Sequence, residues 1–119
     1  MSNSRETMFT KGRRWVLYHI YWRLLRRIYP NKIMQFRLPD GSVFRYPVEG
    51  VIAGALIAGR FEPSELRFMQ AIVRPGDTVL DVGANGGVFS VMGARQIGPN
   101  GRIYAFEPGQ RELALLREN

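Results

Sequence analysis

The sequence predicts an α/β fold in which parallel strands alternate with helices. Three observations carry that prediction. Thr78 to Gly87, T-V-L-D-V-G-A-N-G-G, runs apolar residues into an acid and then into a glycine-rich turn. Ile103 to Pro108, I-Y-A-F-E-P, is a second short apolar run closed by an acid. Segments with helical spacing follow each run, and the order helix, strand, helix, strand, helix implies parallel βαβ winding.

Composition sets the outer bounds. The chain has 119 residues, enough for one domain of ordinary size, and is 45% hydrophobic and 23% charged. It has no cysteine, which excludes disulfides, thiolate zinc sites and cysteine nucleophiles. One histidine, His19, cannot build a multi-histidine metal site. No apolar run approaches the roughly 20 residues that cross a bilayer. The net charge of +7 is uneven. Residues 1–37 hold nine Lys/Arg and one acid, a balance of +8, while residues 38–119 hold eight Arg and nine acids, a balance of −1. The basicity belongs to an N-terminal arm and not to the rest of the chain.

Residues 1–10 are polar and read as loosely ordered. Trp15 to Tyr29 reads as a basic, aromatic, amphipathic helix stopped by Pro30. It is not a signal peptide by pattern: His19 and Arg23 interrupt its apolar segment, and no small-residue cleavage site follows. Three roles suit such a helix. It packs its wide apolar face on the domain, it lies on an anionic membrane surface through residues 11–29, or it docks another subunit. No recognised nucleic-acid-binding pattern accompanies the charge, so no nucleic acid partner is expected.

Ile33 to Tyr46 reads as a β-hairpin turning at Asp40-Gly41, where glycine supplies a positive φ. Its expected role is to cover an edge or form a small cap. Val51 to Arg60 is small and apolar and reads equally as a loose helix or a close-packed loop. Pro63 opens a helix that runs to about Val73, with Leu66, Met69, Ile72 and Val73 on one side. After the turn at residues 74–77 comes a buried strand carrying Val79, Leu80 and Val82. Val88 to Ile97 reads as a helix with Phe89, Met92 and Ile97 inward, ended by Gly98-Pro99-Asn100-Gly101. Ile103 to Phe106 reads as a second buried strand. Gln110 to Glu118 begins another helix, without an obvious C-cap. The expected organisation is a helical arm at 1–32, a hairpin at 33–50, and the first part of a ligand-binding domain at 51–119.

Ligands of open α/β sheets bind beyond the carboxyl ends of the strands. Asp81 and Glu107 sit there, with Gly83-Ala84-Asn85-Gly86-Gly87 between them. A turn from strand to helix leaves backbone N–H groups to hold a ligand. Small residues let that ligand come close, and Asn85 is the non-glycine best suited to a left-handed conformation. A dinucleotide fingerprint G-x-G-x-x-G fails at Asn85 and at Val88, and no P-loop G-K-[ST] is present. A nucleoside without a pyrophosphate remains. The two oxygens of Glu107 match a vicinal diol, and Asp81 offers charge to a cationic amino group.

These motifs, D-V-G-A-N-G-G and then G-P-N-G-R-I-Y-A-F-E-P, preceded by R-F-E-P-S-E and R-P-G-D-T-V-L, resemble the FkbM family of class I S-adenosylmethionine-dependent methyltransferases. The resemblance covers about Gly59 to Asn119. It implies a Rossmann-like sheet, S-adenosylmethionine as cofactor, and methyl transfer to a hydroxyl of a sugar, polyketide or other small-molecule acceptor. By the resemblance, Asp81, Gly83, Asn85 and Gly87 belong to the first cofactor motif, and Glu107 is the ribose-binding acid. Ala84 and Gly86 complete the cofactor-binding turn. No catalytic base is assigned. A full sheet of the family has several more strands, so this chain is expected to be a truncated or partial domain, inactive alone, that pairs with a missing C-terminal part. A cytoplasmic location is expected, with contact at the membrane periphery through the basic helix. The alternatives are a non-catalytic interaction module and, last, a dinucleotide-binding fragment.

Overall fold

The computed structural model describes the backbone of residues 6–119 and the side chains of residues 16–119. It is mixed α/β, with five helices and two small sheets among the described residues. The elements in order are α1 (Glu6–Ile28), β1 (Ile33–Arg37), β2 (Val43–Pro47), α2 (Val51–Ile57), α3 (Pro63–Ile72), β3 (Thr78–Val82), α4 (Val88–Ile97), β4 (Arg102–Phe106) and α5 (Gln110–Glu118). They divide into two compact units, residues 1–33 with 47–61 and residues 34–46 with 62–119. The division cuts across the three segments expected from the sequence. It joins α2 to the arm and the hairpin to the strands.

In the first unit, helix α1 begins at Glu6, earlier than the expected Trp15, so residues 6–10 are helical rather than loose. The expectation for residues 1–5, and the side chain of Trp15, lie outside what is described. The undecided segment after residue 50 is helical: α2 packs on α1. Gly54 explains why a glycine stands inside so short a helix. A Cβ there would lie 3.1 Å from the Trp22 indole, a tighter approach than ordinary van der Waals contact, so the ring would have to give way. The indole N–H of Trp22 donates to the carbonyl of Val48 at 2.8 Å. Ring and backbone together fix the α1–α2 pair, with Ala53 fully buried in it.

The second unit holds most of the core. The turn of the β1–β2 hairpin is set as expected: Gly41 adopts φ +85°, and the carboxylate of Asp40 accepts the backbone N–H of Ser42 at 2.9 Å and its hydroxyl as well. The hairpin is more than a cap. Phe36, Leu38, Phe44 and Tyr46 alternate along it onto the buried face, and Phe44 is 0% exposed. Phe44 and Tyr46 lie parallel with ring centroids 5.5 Å apart.

Strands β3 and β4 pair in parallel, with Thr78 opposite Arg102 and Val82 opposite Phe106. Helix α4 crosses between them and contacts both. Gly98, at φ +67°, ends it where the sequence places its stop. Val88, Met92 and Ile97 bury its inner side, with Phe89 half-buried. On α3, Leu66 is buried and Met69 and Val73 half-buried, but Ile72 is exposed, contrary to expectation. The Gln96 side chain of α4 caps that helix by donating to the carbonyls of Gln70 and Val73 at 2.8 and 2.6 Å.

The strands are not buried as their apolar composition implies. Only the side carrying Val79, Asp81, Ile103 and Ala105 is covered, by α4. On the other side Leu80 is 66% exposed, Val82 80%, Tyr104 48% and Phe106 54%. Near-continuous apolar strands are the mark of a parallel sheet covered on both faces. Here, among the described residues, one face is covered.

The last helix does have a cap. The side-chain amide of Asn119 donates to the carbonyl of Leu115 at 3.1 Å within α5. It also donates to Gly86 O and Arg45 O, both at 2.9 Å, while its oxygen accepts the N–H of Arg45 at 2.7 Å. One asparagine thus pairs with both backbone groups of a β2 residue, as a neighbouring strand would, and ties α5 to the hairpin and to the glycine turn.

Candidate functional site

Beyond the ends of β3 and β4 the structure brings Asn85 and Glu107 into contact. The Glu107 carboxylate accepts the N–H of Asn85 at 2.8 Å through Oε2 and the N–H of Gly109 at 2.7 Å through Oε1. It therefore bridges the turn after β3 to the turn after β4. Asn85 sits at φ +51°, the left-handed conformation its residue type favours. Its Oδ1 accepts the Gly86 N–H at 2.7 Å and the Tyr46 hydroxyl at 3.0 Å. Asp81 lies apart from this bridge. It faces α4 on the covered side of the sheet, where its Oδ2 accepts the Ser90 hydroxyl at 2.6 Å.

The turn does not offer the open row of N–H groups expected from its sequence. Those of Gly83 and Ala84 donate to Phe106 O at 2.8 and 3.0 Å, and that of Gly87 to Ala84 O at 2.8 Å. With Asn85 bonded to Glu107 and Gly86 to Asn85, every N–H from Gly83 to Gly87 has a partner within the protein. A turn that must pass between two strand ends uses its donors to join them, because orphan donors are costly.

The glycines likewise serve different purposes. A Cβ on Gly86 would come 2.9 Å from the Tyr46 ring and 3.2 Å from Phe44, so the hairpin aromatics rest on this glycine. A Cβ on Gly87, at φ +92°, would come 2.6 Å from Leu116 of α5. These two were expected to admit a ligand, and they admit the protein's own side chains. Gly83 is the exception: at φ +80° it has nothing within 4 Å of its Cβ direction. Ala84 is buried and does structural work in the turn.

Two residues missed by sequence reasoning join the group. Tyr46 comes from β2, some forty residues before the turn. Glu112 comes from the first turn of α5, where its charge favours the helix N-terminus. A side chain on Gly109 would meet Glu112 Oε2 at 2.5 Å and Glu107 Oε1 at 3.0 Å, so both carboxylates crowd that glycine. The only available signal for Glu112 is its place in an acidic first turn. For Tyr46 there is the alternation of the hairpin, which marks it as inward but not what it touches.

Burial pushes the Tyr46 phenol above its ordinary value of 10.0, and the Glu112 charge and, more weakly, that of Glu107 push the same way. The Asn85 hydrogen bond and the Arg111 charge oppose them. The consequence appears in alkali. Below pH 10 the phenol is neutral in both states. Between 10.0 and its raised folded value, the unfolded chain releases the proton and the folded chain keeps it, so stability falls as pH rises. Urea midpoints measured from neutral to strongly alkaline pH are expected to fall more steeply in the native sequence than in Tyr46→Phe. Parallel curves would contradict this.

Two concavities of this unit lie elsewhere. One of about 460 Å³ is lined by Ser64, Glu65, Phe68, Met69 and Phe89, and one of about 350 Å³ by Asp40, Gln70, Met92, Arg95 and Gln96. Neither includes a strand-end residue. At the strand ends an acidic bridge (Glu107 and Asn85) stands beside an exposed glycine, Gly83, whose Cβ direction is unobstructed. No cluster of three or more His, Asp or Glu residues able to hold a metal ion occurs among the described residues. No helix there is long and apolar enough to cross a membrane. No protein-family model matches the chain, and no solved structure matches it significantly.

Proposed function

We propose that this chain carries the first half of the cofactor site of a Rossmann-like, class I S-adenosylmethionine-dependent methyltransferase of the FkbM type. The single observation that carries the reading is the Glu107 bridge. Each carboxylate oxygen accepts one backbone N–H, from Asn85 and from Gly109. A carboxylate oxygen has room for a second hydrogen bond, so both retain capacity for the hydroxyls of a ribose diol. The acid is oriented before any ligand arrives, which lowers the ordering cost of binding. Gly83 leaves the backbone open to close approach beside it, and in this reading Asp81, its carboxylate held by the Ser90 hydroxyl, contributes negative charge for a cationic amino group from its place on β3.

When bound, S-adenosylmethionine supplies an electrophilic sulfonium methyl group. The part of this chain in such chemistry is to hold the nucleoside so that the methyl faces an acceptor hydroxyl on a sugar, polyketide or other small metabolite. None of the described residues is assigned as the base. In this reading helices of the same domain cover the exposed face of β3 and β4, further strands extend the sheet at its edges, and the protein works in the cytoplasm.

Calorimetric titration of the full chain with S-adenosylhomocysteine tests the proposal. Binding is expected, with affinity at least tenfold weaker in Glu107→Gln at a temperature where circular dichroism shows that variant folded. Absence of heat with the native sequence, or equal affinity in the variant, overturns it. A second reading is favoured by the exposed Leu80, Val82, Tyr104 and Phe106: a non-catalytic interaction module that docks a partner on this apolar sheet face. It predicts association that depends on protein concentration and is lost in Leu80→Ser/Phe106→Ser, with no response to the nucleoside.

A further inference from the structure

Helix α1 has two apolar sides, and only one of them is used within its own unit. Tyr18, Trp22 and Leu25 are half-buried on the side that meets α2, where Trp22 covers Gly54 and bonds to Val48. At 3.6 residues per turn, Leu17, Tyr21, Leu24 and Ile28 form a separate line along the helix with Ile20 beside it. All five are more than half exposed, Leu17 at 65%. Arg23 and Arg27 run along the flank of this line and are exposed as well. Arg26 turns the other way, its guanidinium 5.0 Å over the Trp22 ring. Beyond the helix, Lys32 lies over the ring of Tyr29 at 4.9 Å, a cation and an aromatic side by side at the end of the exposed line. From Val16 to Ile28 there is no acidic residue.

We infer that this outward side of α1 binds the surface of an anionic lipid bilayer, lying in the plane of the headgroups. The charge of the arm selects the occupant. A second copy of the chain would bring two strongly basic segments together, at a repulsive cost. Nucleic acid would use the arginines but leaves the aliphatic line of Leu17, Ile20, Leu24 and Ile28 without a role. An anionic bilayer uses both, taking the aliphatic side chains into the acyl boundary and the arginines to lipid phosphates, with Tyr21 and Tyr29 at the interface level. Among the described residues no helix, α1 included, is long and apolar enough to cross a membrane. The inference is independent of the methyltransferase reading.

The test is co-sedimentation of the full chain with vesicles of phosphatidylcholine alone and of phosphatidylcholine mixed with phosphatidylglycerol. Binding is expected on the mixed vesicles, weak or absent on the neutral ones, and reduced by added salt. Arg23→Gln/Arg27→Gln is expected to weaken it on the order of twentyfold, roughly fivefold for each arginine. Leu17→Ser/Leu24→Ser is expected to weaken it by about tenfold or more with every charge retained. Both pairs are exposed, and far-UV circular dichroism checks that α1 persists. The inference is overturned by equal binding to neutral vesicles, by no binding to anionic ones, or by binding indifferent to the leucine pair. It is also overturned if an oligonucleotide displaces the vesicles and binds the leucine variant as tightly as the native chain.

Discussion

Phe44→Ala is expected to destabilise the second unit by about 3–5 kcal/mol, the range for removing a fully buried aromatic side chain. Phe44 is 0% exposed, stacks on Tyr46 and lies against Gly86. Its loss opens a void between the hairpin and the glycine turn that the small side chains there cannot fill. A domain of this size has roughly 5–15 kcal/mol of stability in all, so a large share goes with one ring. Chemical denaturation followed by circular dichroism measures the effect. A loss below about 1 kcal/mol would show that the hairpin does not close over the turn as described. Tyr46→Phe serves as the companion. It keeps the ring and removes only the hydroxyl bonded to Asn85, and is expected to cost about 1 kcal/mol.

Glu107→Ala is expected to cost about 2–4 kcal/mol, because the carboxylate accepts two backbone N–H groups that bind the turns after β3 and β4 together. Hydrogen bonds to a charged acceptor contribute about 1.5–3 kcal/mol each, and partial exposure brings the sum down. The effect is expected to be local. Amide exchange at Asn85 and Gly109 should rise far more than exchange in α4. An unchanged exchange rate at both amides would contradict the bridge. The same result bears on the calorimetry. An alanine here unmakes the turn as well as removing a ligand for a ribose, which is why glutamine, with one acceptor oxygen retained, is the sharper comparison for binding.

The sequence marks α4, α5 and the hairpin turn clearly, and physical reasons explain why. Gly87 and Gly98 bracket α4, both at positive φ. Pro108-Gly109 precedes α5, and Asp40-Gly41 supplies a turn few other pairs would make. Such features act between near neighbours in the chain. The left-handed Asn85 belongs with them. What the sequence leaves hidden depends on distant neighbours. Gly86 looks like a ligand-facing glycine until Tyr46 is seen resting on it. Gly54 looks like a break in a helix until Trp22 is placed over it. Donors in the turn look free until Phe106 O and Glu107 are found to accept them. The apolar line of β3 and β4 predicts burial, yet a two-residue period says which residues share a face and not whether anything covers it. Asp81 illustrates the same limit within the candidate site, since its position near a strand end does not reveal that its carboxylate accepts the Ser90 hydroxyl of α4.

The uncovered face of the parallel pair has a thermal consequence. The heat capacity increase on unfolding comes from apolar surface newly met by water, and globular domains show about 12–15 cal/mol/K per residue. Leu80, Val82, Tyr104 and Phe106 already meet water in the folded chain, so they add little to that increase. The increment per residue is accordingly expected toward or below the low end of the usual range. Calorimetry is expected to give a flatter stability curve than that of a domain whose strands are covered on both faces, with shallower losses on cooling and on warming away from its maximum.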